Sequence, residues 1–318
     1  MTVYIIRRLL LIIPTIWVIT IIVFASIRLI PGDVITIMLG EMGAGGQFID
    51  REAVVRLLGM DVPPFEQYIR WVGDIFLRGS FGESLRGGGA VTEMIFSRVG
   101  VTFELGAMAL LISLLIAIPI GIYSSIRQDT FGDYVGRSIA IIFISVPSFW
   151  MGTMVMLYPS IYWGWSPPMK LIPLSEDPFG NLGMFVIPAA ILGMLLCGSI
   201  MRMTRTMMLE VLRQDYVRTA WAKGLRERAV VVRHALRNAL IPVITMLGMQ
   251  LPILIGGSVI MEQIFVLPGM GRLMLNALSQ RDYPVVSGIN LLVASIVVGL
   301  NLVIDLSYSW FDPRLRYR

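Results

Sequence analysis

Cysteine, histidine and lysine are nearly absent from this chain of 318 residues, which has one Cys, one His, and lysine only at Lys170 and Lys223. The lone Cys197 rules out an internal disulfide and a thiolate metal site, and its place in an apolar run is that of a small buried hydrophobe. The lone His234 excludes a His-Glu-x-x-His metal site, and no serine has a histidine at membrane depth to activate it. Neither lysine follows the Gly-x-x-x-x-Gly pattern that cradles nucleotide phosphates, so any ATP-driven work needs a partner. Charge is scarce too. Asp, Glu, Lys and Arg make up 15% of the chain, against about 25% in soluble proteins, too little to coat a globule of this size.

Apolar residues fill that space, at 56% of the chain with a mean hydropathy of +0.77. A spanning helix needs about 20 mainly apolar residues, because the hydrocarbon core is about 30 Å thick and a helix rises about 1.5 Å per residue. Six stretches qualify: Leu9–Ile27, Val101–Ile122, Ser138–Tyr158, Met184–Met201, Leu240–Met261 and Val286–Tyr308. The first follows Arg7 and Arg8 like a signal peptide, but its apolar run exceeds the usual 7–15 residues. Pro14, Pro119, Pro147, Pro188, Pro242 and Pro252 fall in or beside these spans, where neighbouring helices can satisfy the freed carbonyls. The 21 methionines are scattered through apolar helices, as packing residues are, rather than grouped as soft metal ligands.

The net charge of +5 is placed for a membrane and not for nucleic acid. Between the fourth and fifth spans Arg202, Arg205, Arg213, Arg218, Lys223, Arg226, Arg228, Arg233 and Arg237 face only Glu210, Asp215 and Glu227, which marks this loop as cytoplasmic. Alternation then puts both termini inside, in keeping with Arg314, Arg316 and Arg318 at the end. The chain divides into residues 1–30 (N-terminal cytoplasmic end and first span), 31–100 (an extracytoplasmic cap) and 101–318 (a five-helix core containing cytoplasmic loop 202–238). In the cap, Pro63 and Pro64 open a stretch in which Phe65, Tyr68, Ile69, Val72 and Phe76 recur at helical spacing, forming a face that has to bury against something. Gly87, Gly88 and Gly89 read as a loop without a packing role. Arg28, Glu104 and Asp305 lie near span ends, where snorkelling or pairing accounts for them.

The basic loop carries the most information. Asp215 is placed to cap a helix over Tyr216–Lys223, and Gly224 to end it in the left-handed conformation. At about two turns this helix is marginal alone, so it has to pack against something. Small Thr219, Ala220 and Ala222 allow close approach by a groove, and Tyr216 and Trp221 offer aromatic contact area. An interfacial anchor, with rings and arginines at headgroup level, fits the same residues.

The stretch Tyr216-Val-Arg-Thr-Ala-Trp-Ala-Lys-Gly224, continued by Arg233-His-Ala-Leu-Arg-Asn-Ala-Leu-Ile-Pro242, resembles the cytoplasmic signature loop of permeases from the dipeptide and oligopeptide class of ABC importers. Phe265-Val-Leu-Pro-Gly-Met-Gly-Arg272, Arg281-Asp-Tyr-Pro-Val-Val286, and Asn301-Leu-Val-Ile-Asp305 with Asp312-Pro-Arg314 resemble that class in its last third. Pro31-Gly-Asp33 and the segment from Gln67-Tyr68 to Gly82-Glu-Ser84 resemble its first extracytoplasmic segment. The chain departs from the general importer signature at Arg218-Thr219-Ala220, where Glu-Ala-Ala is usual, at Trp221, His234 and Arg237, and at Gly79-Ser-Phe-Gly82.

The resemblance implies an all-α membrane protein with the type I ABC importer permease fold, about six transmembrane helices, and a cap between the first and second. It implies a prokaryotic cytoplasmic (inner) membrane location. It further implies a coupling helix bearing Tyr216, Arg218, Thr219, Ala220, Trp221, Lys223 and Gly224, seated on an ATPase. The expected partners are a second homologous permease, two cytoplasmic ATPase subunits or domains that bind ATP and Mg, and an extracytoplasmic solute-binding protein. The permease itself is not an enzyme and holds no cofactor. Short peptides are the expected cargo, with nickel complexes, glutathione or oligosaccharides as alternatives. An ion-coupled secondary transporter is the rival mechanism, and the scarcity of intramembrane charge weighs against it.

Overall fold

The structure is a computed structural model that describes residues 2–29, 61–168 and 170–311. The Pro31–Asp33 and Asp312–Arg314 motifs, Arg316 and Arg318, and the side chain of Asp305 lie outside the described residues. Within them the regular elements are helices, and a single bridge joins Glu83 to Ala90. They are α1 (Thr2–Arg28), α2 (Pro64–Arg78), α3 (Val91–Ile126), α4 (Phe131–Ser145), α5 (Ser148–Trp163), α6 (Pro178–Leu212), α7 (Asp215–Ala222), α8 (Glu227–Ile264), α9 (Met270–Ser279) and α10 (Tyr283–Phe311).

Five of these helices are long and apolar enough to cross a membrane, and α4 with α5 supply a sixth crossing if counted as one broken span. The sequence suggests one unbroken span there. Instead the chain turns by 91° between Ser145 and Ser148. Pro147 disfavours helical geometry in the residue before it, and Val146 is extended at φ −85°, ψ 121°. α6 and α8 extend beyond the suggested spans on the side of α7, α6 running on to Leu212 and α8 starting at Glu227. Asp177 starts α6 by accepting from the N–H groups of Phe179 (3.1 Å) and Gly180 (3.0 Å). α8 changes its winding at Val230–Leu236, a π-helical segment between α-helical Glu227–Ala229 and Arg237–Ile264.

The chain separates into two compact units. One comprises Val99–Arg272 with the chain from Gly299 onward. Here α6 is central, packing against α4, α5 and α8. Buried Leu105 and Ala109 of α3, Ala140 of α4, Phe185, Leu192, Leu196 and Ile200 of α6, and Val243 and Met261 of α8 form its core. Lipid is as apolar as these side chains, so close packing has to hold the helices together. Gly193 and Gly198 permit it, since a Cβ would stand 2.6 Å from the Ala109 carbonyl oxygen and 2.5 Å from that of Ala140.

The second unit comprises Thr2–Arg98 and Leu273–Val298. The described part of the expected cap, residues 61–98, belongs here together with α1. Only 11% of the apolar stretch of α1 is buried, against 67% for α6. α2 packs on α1 through Phe24, whose ring meets Tyr68 edge-on at 5.2 Å, and through Thr20, which shares a 2.8 Å hydrogen bond with the Tyr68 hydroxyl. The glycine turn proves to have a structural role. Ser84 Oγ accepts the Gly87 N–H (2.7 Å) and donates to buried Asp282, which also accepts the Leu85 N–H at 3.2 Å.

Candidate functional site: α7 and two buried carboxyl groups

α7 is held by its own chain. Val217 and Ala220 point inward and pack with Val230 against Val211 and Leu212. Burying one valine side chain contributes about 1.5–3 kcal/mol, enough to matter for a helix this short. The Tyr216 hydroxyl accepts from Asn238 Nδ2 at 2.7 Å. The expected Asp215 cap is not formed. α6 persists so far that the Gln214 N–H still bonds the Val211 carbonyl (3.1 Å), leaving Gln214 as the cap residue and Asp215 as the first helical one. Asp215 there favours the helix through its charge near the positive end of the dipole, and its carbonyl accepts from Thr219 Oγ1 at 2.9 Å. Gly224 ends the turn as expected, at φ +71° with its N–H on the Trp221 carbonyl at 2.9 Å.

The seven residues of the expected coupling helix therefore divide. Ala220 faces the chain's own core and Gly224 sets the exit, while Tyr216 and Trp221 are 44% and 45% exposed. Arg218, Thr219 and Lys223 stand out beside them. The outward surface is aromatic and basic, and the small-residue contact expected at Ala220 is already taken by Val217 and Val230.

Two buried carboxyl groups escape sequence reasoning. Asp133, in the first turn of α4, is fully buried. It accepts from Arg205 Nε (3.0 Å) and Nη2 (2.9 Å), with Arg137 at 3.2 Å and the Asp129 N–H at 3.1 Å. Arg205 counts in the sequence as one more loop charge; it is in fact a fixed residue of α6. Glu262 reads in the sequence as the first residue of an external connection. It is instead a fully buried residue of the last turn of α8. Thr102 Oγ1 donates to its Oε1 at 2.7 Å and itself accepts the Met270 N–H at 2.9 Å, while the Arg272 N–H donates to Oε2 at 3.0 Å.

This cradle gives Phe265–Arg272 a physical meaning. A Cβ on Gly269 would collide with the Glu262 carboxyl, and one on Gly271 would come within 2.6 Å of the Val259 Cα. Val266 takes a left-handed φ of +58°, which is costly for a β-branched residue, and its carbonyl is held by Arg272 Nη1 at 2.9 Å. The signal was present in that motif, but nothing in it points to a carboxyl three residues upstream. Among the described residues no cluster of His, Cys, Asp and Glu could hold a metal ion.

Five helices long and apolar enough to cross a membrane, one bent pair, and a short helix between basic connections are the parts of a multi-pass membrane protein. Residues 117–317 match the binding-protein-dependent transport system inner membrane components. The chain is 37% identical over 339 residues to the dipeptide transport system permease protein DppB of Escherichia coli, covering 99% of both chains. To the oligopeptide transport system permease protein AppB of Bacillus subtilis it is 38% identical over 320 residues, covering 100% of both. Two solved structures share the fold. The inward-facing MetNI methionine ABC transporter gives a TM-score of 0.54 at 17% identity, over 69% of this chain and 96% of that one. An amino acid ABC transporter crystallised with histidines gives 0.53 at 12%, over 69% and 94%. The chain belongs to the family of binding-protein-dependent transport system inner membrane components, as a permease subunit of an ABC importer with the type I fold. Its task is translocation, which implies ATPase and substrate-binding partners.

Proposed function

We propose that this permease imports short peptides, working with a second homologous permease, two cytoplasmic ATPase subunits or domains that bind ATP and Mg, and an extracytoplasmic solute-binding protein. The observation that carries the cargo reading is end-to-end similarity, at 37% and 38% identity, to a dipeptide and an oligopeptide permease. Both termini and α7 lie on the cytoplasmic side, a reading supported by the excess of arginine around α7. α7 sits in a cleft of one ATPase and presents Tyr216, Arg218, Thr219, Trp221 and Lys223 to it. Ala220 and Gly224 keep that surface in position. Closure of the ATPases around ATP moves α7 as a rigid body, and the helices switch between inward-open and outward-open packings.

The test is ATP-dependent uptake of labelled di- and oligopeptides by the complete reconstituted importer with its own binding protein. Uptake of peptides in preference to nickel complexes, glutathione or oligosaccharides is the expected result; uphill transport by the permease without an ATPase would overturn the mechanism. Trp221→Ala is expected to leave assembly intact and raise the ATP hydrolysed per peptide taken up, because the indole is exposed and contributes little to the fold of this chain.

A further inference from the structure

α2 is strongly amphipathic, yet none of its residues is buried. At about 100° per residue, Phe65, Ile69, Val72 and Phe76 fall within an arc of roughly 60°. Phe65, Ile69 and Phe76 are exposed, at 74%, 52% and 60%. The flank beside this stripe is the one that docks on α1, through Tyr68 and Trp71 against Phe24. On the opposite side Glu66 pairs with Arg70 and Asp74 with Arg78, so the polar face carries no net charge.

Depth identifies what covers the stripe. The apolar span of α1 runs to Ser26, and Tyr68 touches Thr20, six residues and therefore about 9 Å inside that end. Amphipathic helices that lie on membranes sink their apolar face about 5–10 Å into the boundary between headgroups and acyl chains. Ile21 and Ile22, on the same stretch of α1, are exposed as lipid-facing residues are. At the top of the span, Arg28 lies over the Phe24 ring at 3.6 Å and donates to Gln67, as a cation turning toward the headgroups does.

We propose that α2 lies in the membrane–water interface at the C-terminal end of the first span, with Phe65, Ile69 and Phe76 inserted into lipid. The helix would anchor the start of the segment leading to Ser84 and Asp282 at a fixed height on the bilayer. Because Glu66–Arg70 and Asp74–Arg78 cancel, insertion depends on apolar area and not on anionic lipid. The proposal is independent of cargo and of the ATPase seat.

The experiment uses the complete importer in lipid nanodiscs, with spin labels introduced singly by Phe65→Cys, Ile69→Cys, Phe76→Cys, Glu66→Cys, Arg70→Cys and Asp74→Cys. Native Cys197 is buried, and the wild-type importer treated with the same spin label serves as the background control. Accessibility is read with oxygen, which partitions into lipid, and with a water-soluble nickel chelate. The oxygen-to-nickel ratio is expected to be several times higher at 65, 69 and 76 than at 66, 70 and 74, alike in zwitterionic and anionic nanodiscs. A nickel-favoured ratio at 65, 69 and 76 overturns the proposal. So does low access to both reagents, which means that protein covers the stripe, whether another subunit or residues 30–60. Val72→Cys replaces any stripe variant that fails to assemble.

Discussion

Asp133 and Glu262 are buried to the same extent in one unit of the molecule, yet they are satisfied in opposite ways. Asp133 is met by side-chain cations, Arg205 and Arg137, beside the Asp129 N–H, whereas Glu262 is met by neutral donors, a hydroxyl and the backbone N–H of Arg272. An ion pair between side chains couples two helices through groups that can be exchanged. A cradle that includes the Arg272 N–H couples a carboxyl to the path of the chain itself, and no exchange of side chains can replace that donor. The first arrangement is a joint between α4 and α6, and the second is a mould for the loop between α8 and α9.

The largest effect is expected of Asp133→Ala, which leaves the partly buried Arg205 without its main partner. It is expected to destabilise the permease by about 3–5 kcal/mol, read as a lowered midpoint in thermal unfolding of the purified complex. Pairing Asp133→Arg with Arg205→Asp is expected to recover part of that loss, which a purely steric role for Asp133 would not allow. Glu262→Gln comes next, at about 1–3 kcal/mol, because Thr102 and the Arg272 N–H bond to different carboxylate oxygens and the amide NH2 that replaces one of them cannot accept. Here the prediction is that Thr102→Val does not add its full cost to Glu262→Gln, since the two act through one contact. The smallest effect, and of opposite sign, is expected of Val266→Gly. Relief of the left-handed strain outweighs the added freedom of the unfolded chain, and the unfolding midpoint rises by the equivalent of about 0.5–1 kcal/mol.

The spans were legible because lipid imposes a length and a composition on whatever crosses it. Gly224 was legible too, since a left-handed turn at that point has few alternatives. The break at Pro147 was not, because prolines are common in spans and most of those here, such as Pro188 and Pro242, stay inside continuous helices. Asp215 lost its cap position to the persistence of α6, whose end hydropathy could not place once the helix had left the bilayer. Glu262 was misplaced for a related reason: a carboxyl at the end of an apolar run looks like the start of a surface loop. Its principal partner, Thr102, is 160 residues away in the chain, a separation no periodicity reveals. α2 was read correctly as one-sided, but of the face read from the sequence Tyr68 packs on α1, while Phe65, Ile69 and Phe76 stay exposed.

The wide turn at Val230–Leu236 sets the angular phase of everything after it in α8. An α-helix advances about 100° per residue, so adding or removing one residue where the winding changes would swing the rest of the helix by more than a quarter of a circle. Ala239 and Val243 now face the core, and Gly248 lies where a Cβ would strike the Ile304 side chain. After a one-residue slip, bulkier neighbours would stand in those places and the seam would no longer close. The segment therefore works like the key in a shaft, fixing the orientation in which the stretch beginning beside α7 is passed on to the membrane.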